Sequence, residues 1–361
     1  MKQKTIILFT GGTGGHVLPA VNFGNYLIKC GYECIIFLDT RGLKYANEFY
    51  GKKIIINSGH LSGNFLSLIK NFFSLSIGFI KSLFYISYYR PLHCVAFGSY
   101  ASFMPLVIAS LFSLIKITSV HLHEQNSTVG KVNLFFFPIA KNFFVNFKDT
   151  KNLNNKKSNK IFHVGLPFNL QKKLNNRVGE FSTSRKIQIF LYGGSQGSIN
   201  LNNFLIKLLK KLPKKYINNI KIIIQSPIIQ KKYIEKELNS IGIENNIQDF
   251  YSNISTLLNS SDIVVARSGA GTINDIILSQ TPSILVPISQ SIYNHQYHNA
   301  KFLFDKNAAE LIEEKEFDLD ISYQKFKELI DNVDKRLIFI NNLKLIEVLD
   351  ANSLMFRIIF K

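Results

Sequence analysis

The sequence predicts an α/β chain of two Rossmann-like domains, each built on a parallel sheet, with the sheets facing a central cleft. Three observations predict it. Short apolar runs alternate with helix-patterned stretches along the chain, the signature of βαβ units. A glycine loop follows the first run of each half: Gly11-Gly12-Thr13-Gly14-Gly15-His16, then Gly193-Gly194-Ser195-Gln196-Gly197. Between the halves lies a Lys/Asn-rich stretch, 148–160, and then Gly165-Leu166-Pro167. The domains are accordingly placed at 1–164 and 165–340, with a helix over 341–361 packing back on the first. A chain of 361 residues is long enough for two such cores.

Taken in order, the first half offers strands at 5–9, 34–38, 54–56, 94–97, 118–122, 143–145 and 161–164. A helix is expected after Pro19, whose fixed φ suits a first turn. Residues 103–115 are too few to span a bilayer and read as a core helix. In the second half strands are expected at 187–192, 220–225, 247–250, 263–266 and 283–286, with an apolar-periodic helix over 199–212.

Residues 65–89 carry only two charges, Lys70 and Lys81, among many Phe, Leu, Ile and Tyr. At helical spacing Ser67, Lys70, Ser74, Gly78, Lys81 and Tyr85 form one narrow polar stripe. Three readings compete: a bilayer span, a buried helix, and an amphipathic element touching lipid. A span would sink both lysines into the hydrocarbon, so the stripe favours the third. Phe72, Phe73, Phe79 and Phe84 would then dip into the interface while Lys70 and Lys81 meet headgroups.

Hydrophobic residues make up 46% of the chain and charged residues 19%, which excludes a disordered polymer. The formal net charge of +19 suggests a negatively charged partner: nucleic acid, an anionic membrane or a phosphorylated substrate. Richness in Lys, Asn, Ile and Phe with no Trp also fits drift toward AT-rich codons, so charge alone does not choose. Nucleic-acid binding would interleave aromatics with basic residues, whereas here they sit in apolar runs. The three cysteines, Cys30, Cys34 and Cys94, are an odd number without zinc-knuckle or redox spacing, which points to a reducing, cytosolic compartment. The opening MKQKTIILFTGGTGG is no signal peptide, because its apolar run ends in a glycine turn.

Glycines at a strand-to-helix turn let backbone N–H groups approach a phosphate or sugar. The first loop departs from the dinucleotide fingerprint at Val17, although Asp39, ending the next strand, mimics its ribose-binding acid. Ser195 adds a hydroxyl to the second loop. His121 and His123 share a strand face with Glu124 following, but no third metal ligand is predicted nearby. The polar run His123-Glu124-Gln125-Asn126 reads instead as a crevice wall, with Asn126 offering donor and acceptor to sugar hydroxyls. Arg267-Ser268-Gly269-Ala270-Gly271-Thr272-Ile273-Asn274-Asp275 opens a helix after a strand. A polar patch, Asn294 to Asn299, precedes Ala300.

These pieces, in this order, resemble the MurG family, the UDP-N-acetylglucosamine:N-acetylmuramyl-(pentapeptide) pyrophosphoryl-undecaprenol N-acetylglucosamine transferases of bacterial cell-wall synthesis. The resemblance rests on 11–16, 123–126 with Gly130 and Asn133, 193–197 with Asn202, 267–275, and 296–300. It implies a GT-B fold and inverting transfer of N-acetylglucosamine from UDP-GlcNAc to the C4 hydroxyl of lipid I, giving lipid II and UDP, with no metal or cofactor. It implies Thr13, Gly14, Gly15, Asn126, Ser195 and Gln296 on the UDP-sugar, with Tyr251 and Asn299 on the same side. Ala270, Thr272 and Asp275 would line the nucleotide, the acid on the ribose. Tyr100, His123, Glu124 and Asn133 fall on the acceptor side. Further implied are a peripheral place on the cytoplasmic face of the bacterial inner membrane, an anionic membrane surface as partner, contacts with cell-wall synthesis proteins, and no nucleic acid.

The chain departs from the family pattern at four places. Asp275 replaces Glu, Gly271 replaces a bulky apolar residue, Asn169 stands in place of an Arg, and Ser99 replaces a glycine in Phe97-Gly98-Ser99-Tyr100. The alternatives are a related lipid glycosyltransferase acting on diacylglycerol and a non-catalytic membrane-bound scaffold. Inversion needs a base for the acceptor hydroxyl, and His16, at a helix N-terminus where imidazolium is disfavoured, is the expected catalytic residue. The competing reading has His16 orienting the acceptor phosphates.

Overall fold

The computed structural model describes residues 4–59, 65–153, 159–169, 185–194, 197–251, 253–289, 292–314 and 318–361, with side chains for all of these except 65–70 and Ile292. Two compact units emerge: residues 1–170 with 349–361, and residues 171–348.

The first unit holds strands β1 (Thr5–Phe9), β2 (Glu33–Leu38), β3 (Lys52–Ile55), β4 (His93–Ala96), β5 (Ser119–Glu124), β6 (Asn142–Val145) and β7 (Ile161–His163). All are parallel, in the order β3-β2-β1-β4-β5-β6-β7. Its helices are α1 (Gly14–Lys29), α2 (Phe65–Tyr89), α3 (Phe103–Leu114) and α4 (Lys131–Phe136). The second unit repeats the plan with β8 (Ile187–Tyr192), β9 (Ile220–Gln225), β10 (Glu244–Gln248), β11 (Ile263–Ala266), β12 (Ser283–Leu285) and β13 (Glu310–Leu311). These run parallel in the order β10-β9-β8-β11-β12-β13. Its helices are α5 (Ile199–Lys210), α6 (Lys214–Ile217), α7 (Ile228–Ile241), α8 (Ile254–Ser260), α9 (Ala270–Ser279), α10 (His295–Phe304), α11 (Leu319–Asp331) and α12 (Val333–Lys344); α13 (Ala351–Ile359) returns to the first unit.

The central strands of both sheets are buried on both faces, which is why they read as unbroken apolar runs. Ile7 and Phe9 enter one core of the first unit and Ile6 and Leu8 the other; in the second unit Ile189 and Leu191 oppose Phe190 in the same way. In each sheet the strand order reverses beside the first strand, between β1 and β4 and between β8 and β11. Loops at the carboxyl ends of those strands form the crevice where such folds bind ligands.

Two boundaries move. Residues 165–170 stay with the first unit, because His123 reaches Gly165 O, Asn22 donates to Pro167 O and Asn352 donates to Phe168 O. α1 begins at Gly14, five residues before Pro19, because the N–H groups of His16 and Val17 already bond Thr13 O. His16 is thereby a first-turn residue.

α2 carries the largest correction. Its polar stripe faces the protein: Ser74 Oγ donates to Ser58 O, and Lys81 Nζ donates to Asn57 Oδ1 at 3.0 Å. Gly78 is buried, where a Cβ would collide with the Asn57 carbonyl. The apolar side looks outward, with Phe72, Phe73, Ile80, Phe84 and Tyr88 between 62% and 71% exposed. Phe79, expected at the lipid interface, packs instead against the core, and Lys81 is tied to the 55–57 loop. The Lys70 side chain lies outside the described residues. Among the described residues no helix is long and apolar enough to cross a membrane.

Candidate active site

In the first unit the site grows from the carboxyl ends of β1, β4 and β5. His16 Nδ1 lies 2.8 Å from Phe97 O and 2.8 Å from Gln125 Oε1. Gln125 Nε2 donates to His123 Nδ1 at 3.1 Å and to His123 O at 3.0 Å, and His123 Nε2 meets Gly165 O at 2.9 Å. His123 and Gln125 are buried, and the His123 ring stacks on Phe97; burial lowers the His123 imidazole to about 4, leaving it neutral. Asn133 Nδ2 donates to His123 O and to Glu124 Oε2.

Glu124 is fully engaged. One oxygen accepts from the N–H and Nδ2 of Asn126, the other from Gly130 N and Asn133 Nδ2. A carboxylate so enclosed shapes the loop that carries Asn126. Thr13, which starts α1 without a side-chain cap bond, is exposed, as is Gly15, while Gly14 is buried. Tyr100 begins the short turn after Ser99 and is 37% exposed.

Asp39 is a brace and offers nothing to a ribose. Its Oδ1 accepts from Gly12 N and Gly42 N, and its Oδ2 pairs with Arg41 at 2.7 Å. His121 and His123 do not converge on one point: His121 Nε2 meets His93 Nδ1 at 3.1 Å, away from the His123 chain. No group of three His, Cys, Asp or Glu is arranged to hold a metal among the described residues.

In the second unit Arg267 follows β11, buried, and bonds Ser198 Oγ, Val286 O and Glu314 Oε1, the last at 2.8 Å. Burial alone would raise the Glu314 carboxyl; the Arg267 guanidinium and Ser289 N–H hold it below its ordinary value. Ser198 in turn caps α5. The guanidinium thus ties three loops together. Ser268 Oγ donates to Gln296 O, Asn299 Nδ2 donates to Ser268 O, and Gln296 Oε1 accepts from Ile288 N, so α10 is pinned to the start of α9.

Gly269 caps α9, followed by Ala270 and Thr272, both buried; Asp275 stands in the second turn, too deep to cap the helix. A side chain added at Gly271 would enter open space. Asn299 is wholly buried and supports the loop from below. Tyr251 is a correction: its ring lies against Phe190 and its hydroxyl donates to Asn246 O, so the side chain faces the core, and burial pushes it up to about 12. Ser195 lies outside the described residues. A cavity of about 600 Å³ opens beside α5, lined by Asn200, Asn203, Lys207, Ser289 and Glu314; Asp275 does not line it.

Sequence reasoning passed over Gln125 and Glu314. Gln125 had a signal, its place in a run of four polar residues closing a buried strand; Glu314 had none.

Two family models cover most of the chain, the glycosyltransferase family 28 N-terminal domain over residues 6–145 and the family 28 C-terminal domain over 188–339. The chain belongs to glycosyltransferase family 28. Among its family 28 relatives, one from Rickettsia canadensis (strain McKiel) is 33% identical, over 98% of this chain and 95% of that one. Another, from Rickettsia akari (strain Hartford), is 32% identical, over 98% and 94%. Both are named UDP-N-acetylglucosamine–N-acetylmuramyl-(pentapeptide) pyrophosphoryl-undecaprenol N-acetylglucosamine transferase. The crystal structure of Acinetobacter baumannii MurG is similar over 99% of both chains, with a TM-score of 0.76 at 20% identity. UDP-GlcNAc 2-epimerase from Neisseria meningitidis, bound to UDP-GlcNAc, follows the same fold at 0.66 and 12%, over 99% of both chains. The two Rossmann-like units are those of the GT-B class.

Proposed function

We propose that the chain is an inverting glycosyltransferase that moves N-acetylglucosamine from UDP-GlcNAc to the C4 hydroxyl of the muramoyl sugar of lipid I, giving lipid II and UDP. The observation that carries this reading is the match, over nearly the whole chain, to relatives named for that transfer. The loops at both switch points supply the chemistry.

The second unit takes the donor. Backbone N–H groups at the start of α9 favour the diphosphate, and Asp275 accepts from the ribose hydroxyls. The first unit takes the acceptor. His16 receives the C4 hydroxyl proton as that oxygen bonds to the anomeric carbon, and the leaving electron pair goes to the UDP phosphate oxygen. Because the acceptor is lipid-anchored, the enzyme sits peripherally on the cytoplasmic face of the membrane, with the outward side of α2 against an anionic lipid surface. A helix whose polar stripe docks inward and whose aromatic side faces out suits that place.

The test is transfer from labelled UDP-GlcNAc to a lipid I analogue in detergent. Label moving to that analogue and not to diacylglycerol is the expected result. Transfer to diacylglycerol selects the related lipid glycosyltransferase. UDP binding with no transfer to either leaves only the scaffold reading.

A further inference from the structure

The polar chain behind His16 has a defined direction of hydrogen bonding. Phe97 O can only accept, so His16 Nδ1 must carry a hydrogen. That fixes the neighbouring amide, since an N–H of Gln125 turned toward Nδ1–H would set donor against donor. With Gln125 Oε1 accepting from His16, Gln125 Nε2 points at His123 and donates to both its Nδ1 and its O. His123 Nδ1 is therefore bare, and its hydrogen sits on Nε2, donated to Gly165 O. Every group from Gly165 to His16 has one consistent assignment.

We infer that Gln125 and His123 are positioning residues that hold His16 in the Nδ1–H tautomer, its Nε2 lone pair turned outward to receive the acceptor proton. This tautomer is the minor one of free histidine, and which nitrogen carries the hydrogen is set by what the other ring atom meets. His123 is 0% and Gln125 1% exposed, so neither reaches a substrate directly. When His16 takes the proton on Nε2, the new positive charge spreads to Nδ1–H, where Phe97 O and Gln125 Oε1 already accept. An amide in place of a carboxylate stabilises that charge without fixing a full negative charge against the ring. The titratable groups around the ring are few: His123 on β5, kept neutral by burial, Glu124 beyond Asn133 on α4, and the Asp39–Arg41 pair on the far side of the glycine loop.

The inference rests on His16 being the base, and the experiment separates the two. In protein labelled with ¹⁵N-histidine, with His16 assigned by its loss in His16→Gln, the neutral ring should show a protonated Nδ1 and a bare Nε2. His123 should show the reverse. A protonated Nε2 on His16 overturns the relay whatever the activity. Gln125→Glu sets a carboxylate against Nδ1–H and should raise the NMR titration midpoint of His16 by about one to three pH units. The acid limb of kcat/KM should rise with it, since neutral His16 is the working form. An unmoved midpoint overturns the relay; a moved midpoint with an unmoved acid limb supports the relay and removes His16 as base. Should Gln125→Glu fail to fold, Gln125→Leu serves, with kcat falling about tenfold and KM for UDP-GlcNAc unchanged. An unchanged kcat there overturns the positioning role.

Discussion

A Cβ added to Gly98 would stand 3.3 Å from both Cε1 and Nδ1 of the His16 ring, on a backbone with φ +73°. Gly98 lies in the loop after β4 and His16 in the first turn of α1, and the absence of a side chain at one fixes the place of the other. Gly98→Ala should push the ring off Phe97 O and lower kcat by tens-fold, with a stability loss of about 1 kcal/mol from the backbone alone. His16→Ala should lower kcat about a hundredfold or more. Assays at saturating UDP-GlcNAc decide both; near-parental kcat in the His16 variant removes it as base.

Ser99 occupies φ 72°, ψ 148°, a region nearly reserved for glycine. Its hydroxyl accepts weakly from Ala101 N at 3.4 Å, which recovers only part of the strain. Ser99→Gly should therefore stabilise the first unit by about 1 kcal/mol. Equal urea midpoints for variant and parent would show the strain to be fully offset.

The orientation of α2 separates two kinds of residue. Ile80→Glu with Phe84→Glu removes outward apolar surface and should weaken cosedimentation with phosphatidylglycerol vesicles by roughly tenfold or more, sparing UDP binding. Lys81→Ala, which cuts the tie to Asn57, should leave vesicle affinity alone and lower the melting temperature. The opposite pattern would restore Lys81 to the headgroups.

Asp275, in the second turn of α9, is expected on the ribose. Ribose contacts lie away from the reacting carbon, so they bind ground and transition states alike. Asp275→Ala should raise KM for UDP-GlcNAc about ten- to a hundredfold at nearly constant kcat. Since space beside Gly271 is open, Asp275→Glu should be accepted without a second change. A parental KM in the alanine variant disproves the ribose contact.

Burial lowers His93 to about 4, and His121 and His123 are lowered as well. Each binds its proton more readily in the unfolded chain. The stability they lend is present above the unfolded value near 6.5 and drains away as pH falls toward about 4. Denaturant midpoints should drop between pH 7 and 5, and less so in His93→Phe. Parallel slopes would show that other groups govern the acid limb.

The two sheets were legible because strands buried on both faces announce themselves as apolar runs, and the glycine loops marked where each sheet reverses. β10 was misplaced: it spans Glu244–Gln248, and its Asn245 and Asn246 carry no apolar signal at a sheet edge. The α2 stripe teaches a different lesson. Periodicity tells which residues share a face, and it is silent on whether that face turns inward. Asp39 looked like a ligand acid because its place along the strand was right; only the fold shows that Gly12, Gly42 and Arg41 already hold it. Gln125 stands inside the polar run 123–126, but its partner His16 lies on α1 and Asn146 beyond β6, both far away in sequence.

The return of α13 to the first unit has a consequence for synthesis on the ribosome. Phe356 and Phe360 pack on Tyr26, Tyr32 and His93, so the first unit cannot close until residues 351–360 have been made. At about 5–20 residues per second, the whole second unit is translated in the meantime, a delay of roughly ten to thirty-five seconds. Throughout that interval the nascent first unit presents a bare aromatic seat, and the half of the enzyme that starts folding first is the half that finishes last.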